Sequence, residues 1–332
     1  MEPLRIGVLG CAGIARRRML PAFRACPGTE LVAVASRDRL RSRETAAEAK
    51  CEAVHGYAEL LARTDIDAVY LPLPAALHEQ WTRAALEAGK HVLGEKPLTT
   101  DPAATERLAA QAAASGLALR ENVMFVHHPQ HAAVAQLVAD GAIGEVRAFR
   151  AEFTVPRLPD DDIRYDPALG GGALFDTGVY PVRAALHFLG GGLELVGAVL
   201  THGVPDRSVD TAGVALLRDA AGTGVQLTFG LDHGYRSRYE ILGSAGTLTV
   251  DRAFTPPSGA RPLVRWERGA ETEQLDLPAH DQVLASVAEF AEAVRTGAPP
   301  DPVLFQQAEL LDRIRANARV VIGPAGPAGP AR

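Results

Sequence analysis

Residues 4–15, LRIGVLGCAGIA, decide the fold: a β-branched run stops at Gly10 and a helical pattern begins at Ala15. Gly10, Ala12 and Ala15 fall on the three small positions of a dinucleotide-binding turn. There a strand hands over to a helix whose first N–H groups face a pyrophosphate. Gly10, Cys11, Ala12, Gly13, Ile14 and Ala15 are therefore candidate cofactor contacts. Alanine in the middle place adds a methyl where backbone has to come close, and Gly13 beside it returns freedom to the turn. The competing reading is a tight strand-to-helix turn that holds no ligand.

Outward from that turn the pattern is βαβ. LRIGVL, a helix to Cys26, ELVAVAS, a second helix, DAVYLPLP, a helix near His78 to Ala88, KHVLGEKP, a capped helix in TTDPAATERLAAQAAASG and finally LALREN complete a doubly wound parallel sheet near Asn122. After residue 145 the texture changes to short strands: VRAFRAEFT, ELVGAVLTH, VDTAGVALL, TGVQLTFGL, RYEILG, GTLTVD, PLVRWER and TEQLDL. Their hairpin-length connections predict a mainly antiparallel sheet. One helix, Ala173 to Leu189, interrupts it behind Gly170 to Gly172, and amphipathic helices around Asp281 to Arg295 and Leu304 to Val321 close the chain. The predicted architecture is α/β. A Rossmann domain over 1–122 precedes an α+β domain over 123–322 with a large open sheet for substrate binding and oligomerisation, and 323–332, GPAGPAGPAR, is a disordered tail.

A net charge of -6 without a block of like charge argues against nucleic acid as a partner. No basic leader and no long apolar run are present, so a cytoplasmic protein with no membrane span is expected. Cys11, Cys26 and Cys51 are odd in number and lack CxxC spacing, which points to core thiols and not to disulfides or zinc. His127, His128 and His131 invite a metal reading, but Pro129 intrudes and no carboxylate lies close by, so no metal is assigned.

The second strand ends in Ser36-Arg37, where an NAD enzyme would place an acid for the ribose 2'-hydroxyl. A hydroxyl and a guanidinium, with Arg41 in support, suit a 2'-phosphate, so NADP(H) is the expected cofactor. Asp38 stands one place too late to act as the NAD acid. Of 34 basic residues only Lys50, Lys90 and Lys96 are lysines, so a retained lysine carries information. Lys96, in Glu95-Lys96-Pro97, lies at a strand's C-terminal end, the edge where ligands sit in open α/β sheets. An ammonium there polarises a carbonyl and lowers the pKa of a neighbouring phenol. Asp176 and Tyr180 are four apart on one helix face, with Pro181 expected to kink the helix just past the tyrosine.

Together, GVLGCAGIA, LPLPAALH, AGKHVLGEKPL, ENVMF and GGGALFDTGVYP resemble the glucose-fructose oxidoreductase and inositol dehydrogenase (Gfo/Idh/MocA) family over essentially the whole chain from Arg5 to Val321. The resemblance implies that Lys96 lines the nicotinamide and that a cis peptide precedes Pro97. It places Asp176 and Tyr180 on the reacting sugar, and Leu71, Pro72, His78, Glu95 and Asn122 among the cofactor contacts. Many members carry histidine where this chain has Tyr180. Ala184 stands where inositol-type members carry an acid, which counts against a His/Asp proton relay. Arg164 is expected to contact the carboxamide or a phosphate.

MFVHHPQH, DIRYDPALGGGALFDTGVYPVRAA and LPAHDQ are similar to the nucleotide-hexose 3-ketoreductases of deoxysugar pathways that serve antibiotic glycosides. That branch implies reduction of C3 of a dTDP-linked 3,4-diketo-2,6-dideoxyhexose, with Tyr180 as proton donor, Lys96 polarising the oxygen, Asp176 orienting the sugar and NADPH as reductant. It also implies a homodimer or homotetramer. The alternatives are an NADP-dependent free-sugar or dihydrodiol dehydrogenase and, in a different class, a nicotinamide-sensing regulator without turnover.

Overall fold

The computed structural model describes residues 2–203 and 208–323. The chain divides into two compact units, residues 1–127 with 281–305, and 128–280 with 306 onward.

The first unit is built on a six-stranded parallel sheet of β1 (Leu4–Leu9), β2 (Thr29–Ser36), β3 (Glu52–His55), β4 (Ala68–Leu71), β5 (His91–Glu95) and β6 (Leu119–Asn122), ordered β3-β2-β1-β4-β5-β6. The order reverses between β1 and β4, which opens a crevice at the C-terminal strand ends. Helices cover both faces, so central strands read as unbroken apolar runs: Ala68, Val69, Tyr70 and Leu71 are all fully buried. β3 was not anticipated from the sequence. Glu52, Ala53 and His55 are exposed, so this edge strand carries no inward-facing pattern to read.

Asp281 to Phe305 joins this unit, whereas the sequence placed it in the second domain. The helix Gln282–Thr296 carries Val283, Val287 and Phe290 at helical spacing, and they enter one buried cluster with Met19, Leu20, Phe23 and Tyr70. Each such side chain contributes about 1.5–3 kcal/mol by leaving water. An amphipathic stripe shows that a helix is buried on one side but not which core receives it.

The second unit holds a nine-stranded sheet of β7 (Val146–Thr154), β8 (Glu194–His202), β9 (Asp210–Arg218), β10 (Gly224–Gly230), β11 (Arg236–Gly243), β12 (Thr247–Asp251), β13 (Leu263–Arg268), β14 (Glu271–Gln274) and β15 (Arg319–Ile322), ordered β14-β13-β12-β11-β7-β10-β9-β8-β15. It is antiparallel except where β10 pairs with β7 and β15 with β8. The sheet alternates cleanly: Phe149, Ala151 and Phe153 of β7, Val225, Leu227 and Phe229 of β10, and Tyr239 and Ile241 of β11 point inward and are buried. The helix Val179–Leu189 packs on β7 and β10.

Two further expectations change. The last helix ends at Asn317, and Arg319 to Ile322, expected to continue it as far as Val321, forms β15 beside β8. The β-branched run VVI favours extended backbone once a strand edge is within reach. Pro129 does not break a helix; it opens Pro129–Ala139 at the first position, where a missing N–H costs nothing. The expected disordered tail lies almost wholly outside the described residues.

Candidate active site

In the first unit, β1 runs straight into the glycine-containing turn of residues 10–15. Gly10 has φ +129°, and a Cβ there would stand 3.1 Å from Leu73 Cδ2 and 3.3 Å from the Pro72 carbonyl oxygen, so only glycine lets the loop leave the strand this closely. Ala15 is fully buried against the sheet at the start of the helix. A π-wound turn, Ala15–Met19, leads into the helix Leu20–Ala25.

At the end of β2 the donor set is the one a 2'-phosphate needs. Ser36 is buried, and its hydroxyl accepts from the Asp38 N–H at 3.1 Å. Arg37, Arg39 and Arg41 are exposed. Asp38 is committed elsewhere: it caps the helix Arg39–Ala49, accepting from the N–H groups of Leu40 at 2.8 Å and Arg41 at 3.2 Å. The serine and arginines present at this strand end fit NADP. Burial raises the Cys11 thiol, which also meets Thr45 and Ser36.

Lys96 lies directly beyond β5 and is joined to Pro97 by a cis peptide bond. Its neighbour Glu95 is fixed by two residues from two other strands, one of them held in turn by a helix. Tyr70 donates to Glu95 Oε1 at 2.6 Å, and Asn122 Nδ2 donates to the same oxygen at 2.7 Å. Ser286 donates to Asn122 Oδ1 at 2.8 Å. Both polar atoms of the Asn122 amide are thus engaged with protein, as are those of His78. That ring is buried, its nitrogens facing the carbonyls of Pro97 and Leu73 at 2.7 Å each. The side chains of Asn122 and His78, both expected cofactor contacts, tie neighbouring strand ends and loops together. Leu71 and Pro72 are buried at the end of β4.

The other lysines show what retention means in this chain. Lys90 is buried and donates to the carbonyls of Arg63 at 2.7 Å and Ile66 at 2.8 Å, and desolvation lowers its pKa. Lys50 takes the left-handed C-cap position of its helix.

In the second unit, Asp176 and Tyr180 sit on one continuous helical run, a π-wound turn Leu174–Gly178 followed by Val179–Leu189. The irregularity falls ahead of Tyr180, not past it at Pro181 as the sequence suggested. Pro181 has no N–H for the bond to the carbonyl one turn back, and the irregular turn lies in the residues just before it. Arg164 Nε donates to Asp176 Oδ2 at 2.8 Å, while its Nη1 contacts Asp162 Oδ1 at 3.1 Å. The charges of Asp176 and then Asp162 hold the guanidinium ionised. The Tyr180 ring meets Phe153 edge-on at 4.7 Å between centroids and Phe254 at 5.8 Å, which fixes its plane. Ala184 is fully buried.

His128 and His131 are held by hydrogen bonds to the protein. His128 caps Pro129–Ala139 through Nδ1, accepting from the Gln130 N–H at 3.1 Å. His131 is fully buried between the Tyr239 hydroxyl at 2.9 Å and the Ala253 carbonyl at 3.2 Å. Among the described residues no group of His, Cys, Asp or Glu is placed to hold a metal, and no helix is long and apolar enough to cross a membrane.

Two family models match the chain. Residues 4–123 match the model described as "Oxidoreductase family, NAD-binding Rossmann fold", and residues 131–249 match the GFO/IDH/MocA C-terminal domain. A dTDP-3,4-didehydro-2,6-dideoxy-alpha-D-glucose 3-reductase of Actinomadura kijaniata is 52% identical over 326 residues, covering 97% of this chain and 98% of its own. The chain belongs to the GFO/IDH/MocA family. A second member of the family bearing the same name, from Streptomyces violaceoruber, is 54% identical over 334 residues, 97% of each chain. A solved structure, that of a 3-ketoreductase from Actinomadura kijaniata in complex with NADP and TDP-benzene, superposes with a TM-score of 0.95 at 52% identity, covering 97% of this chain and 100% of the other.

Proposed function

We propose that this chain is an NADPH-dependent sugar 3-ketoreductase that reduces the C3 carbonyl of a dTDP-linked 3,4-diketo-2,6-dideoxyhexose. The observation that carries this reading is identity above one half, over nearly the whole length, with reductases named for that reaction. The arginine-rich end of β2 supports NADP over NAD.

The reduced nicotinamide, when bound, supplies the hydride. Tyr180 gives its phenolic proton to the C3 oxygen as the carbonyl becomes an alcohol, and a proton from solvent restores the phenol. Lys96 polarises that oxygen and favours the ionised phenol, a role a compact ammonium fills without competing hydrogen-bond geometry. Asp176, oriented by Arg164, accepts from sugar hydroxyls. Gly10 to Ala15 receive the pyrophosphate, while Ser36, Arg37 and Arg41 receive the 2'-phosphate.

We further assign the protein to the cytoplasm, to the assembly of a deoxysugar for an antibiotic glycoside, and to a homodimer or homotetramer. The exposed Val196, Val214 and Leu216 on the outer face of β8 and β9 support self-association.

The test is loss of reduced-nicotinamide absorbance with the diketo sugar nucleotide generated in situ, run beside NADH and beside free sugars with NADP. Oxidation of NADPH with the nucleotide sugar supports the reading. Reduction of NADP by a free sugar or diol would move the protein to the dehydrogenase alternative.

A further inference from the structure

The helix that carries Asp176 and Tyr180 does not cap itself. Its N-cap residue is Ala173, which offers no side-chain acceptor, whereas the helices beginning after Asp38, Asp101 and Asp281 each use their own aspartate. The acceptor comes from a strand instead: Asp210, the first residue of β9, takes the Leu174 N–H on Oδ2 at 2.7 Å. Its other carboxylate oxygen lies so close to Gly172 that a Cβ there would come within 2.4 Å of it.

Gly172 also donates to the carbonyl of Arg164 at 2.9 Å, and Gly171 donates to that of Asp166 at 3.0 Å. The loop carrying Arg164 is therefore tied to the same short stretch that Asp210 holds. A Cβ on Gly171 would stand 2.5 Å from the Arg164 carbonyl oxygen, so the triple glycine is what lets the loop fold under the carboxylate. Burial lifts the Asp210 carboxyl to about 6, against the pull of the Leu174 N–H and of His202 across the ladder. A half-buried acid kept at that expense is a sign of a required contact.

We propose that Asp210 is a positioning residue for the reaction: by capping the helix of Asp176 and Tyr180 from the sheet, it sets Asp176 against Arg164 and fixes the turn that carries Tyr180. The proposal rests on the functional reading above.

Its test compares the intact protein with Asp210→Ala and Asp210→Asn, the second retaining an acceptor for the Leu174 N–H. Two readouts are taken, amide hydrogen exchange over residues 173–180 and the steady-state constants with NADPH and the nucleotide sugar. Loss of a cap predicts exchange about 10-fold faster in the alanine variant, with kcat reduced about 10-fold, NADPH affinity unchanged, and recovery of both readouts in the asparagine variant. Unchanged exchange overturns the cap. Faster exchange with unchanged kcat and KM overturns the positioning role. A wild type that does not turn over the nucleotide sugar overturns the functional reading and the catalytic half of this proposal, while exchange still decides the cap.

Discussion

Arg164 and Asp176 form a charge-assisted hydrogen bond of 2.8 Å between a loop and a helix twelve residues apart, and Asp162 holds the other side of the same guanidinium. A planar fork between two carboxylates holds Asp176 still, as the proposed contact with sugar hydroxyls requires. Arg164→Ala is expected to raise KM for the nucleotide sugar and lower kcat/KM by about 10- to 100-fold. Arg164→Lys recovers little, because an ammonium cannot reproduce the fork. Steady-state kinetics with both variants checks this, and full recovery by lysine would reduce the interaction to charge alone.

Tyr180→Phe removes one oxygen from a ring that Phe153 and Phe254 keep in place. The variant should fold as the wild type does and bind NADPH with the same affinity. Its kcat should fall by about 100- to 10,000-fold, the range a positioned proton donor supplies. A turnover within a few-fold of wild type would give the proton transfer to another group.

Cofactor choice should follow the end of β2. Arg37→Ala combined with Arg41→Ala is expected to weaken NADPH by about 10- to 100-fold while leaving NADH nearly unchanged, since only the 2'-phosphate loses charge-assisted bonds. Titration of both nucleotides by fluorescence measures the ratio.

Ser286→Ala leaves the buried Asn122 carbonyl without its donor. An orphaned buried acceptor costs about 1–3 kcal/mol, readable as a lower urea midpoint. Because Asn122 also fixes Glu95 beside Lys96, kcat should fall with NADPH binding little changed.

Acid should weaken the fold through its histidines. Burial, and then the charge of His280, push His128 down to about 4, and burial holds His131 well below the usual histidine range. Both stay neutral when folded and take up protons when unfolded. Their contribution is whole above the unfolded histidine pKa near ~6.5 and is lost as pH falls from there toward 4, at up to about 1.4 kcal/mol per pH unit for each ring. Urea unfolding at pH 7, 6 and 5 tests the slope, and His131→Asn should flatten it.

What the sequence by itself determined is whatever short-range pattern controls: the parallel unit from its strand-and-helix alternation, the tight strand-to-helix turn from Gly10 to Ala15, the Ser36-Arg37 pair, Lys96 at a strand end, and Asp176 with Tyr180 on one helix. These rest on spacing and residue type within a turn or a strand. The tertiary structure alone decided the rest, because it depends on groups brought together from far along the chain. It sent Gln282–Thr296 to the first core and made Arg319–Ile322 a strand, choices set by which apolar surface and which open strand edge were available. It turned His78 and Asn122 inward, because buried main-chain carbonyls and a carboxylate needed partners. It also set Asp210 on a helix whose own N-cap has no acceptor, a pairing across 36 residues that no local rule encodes.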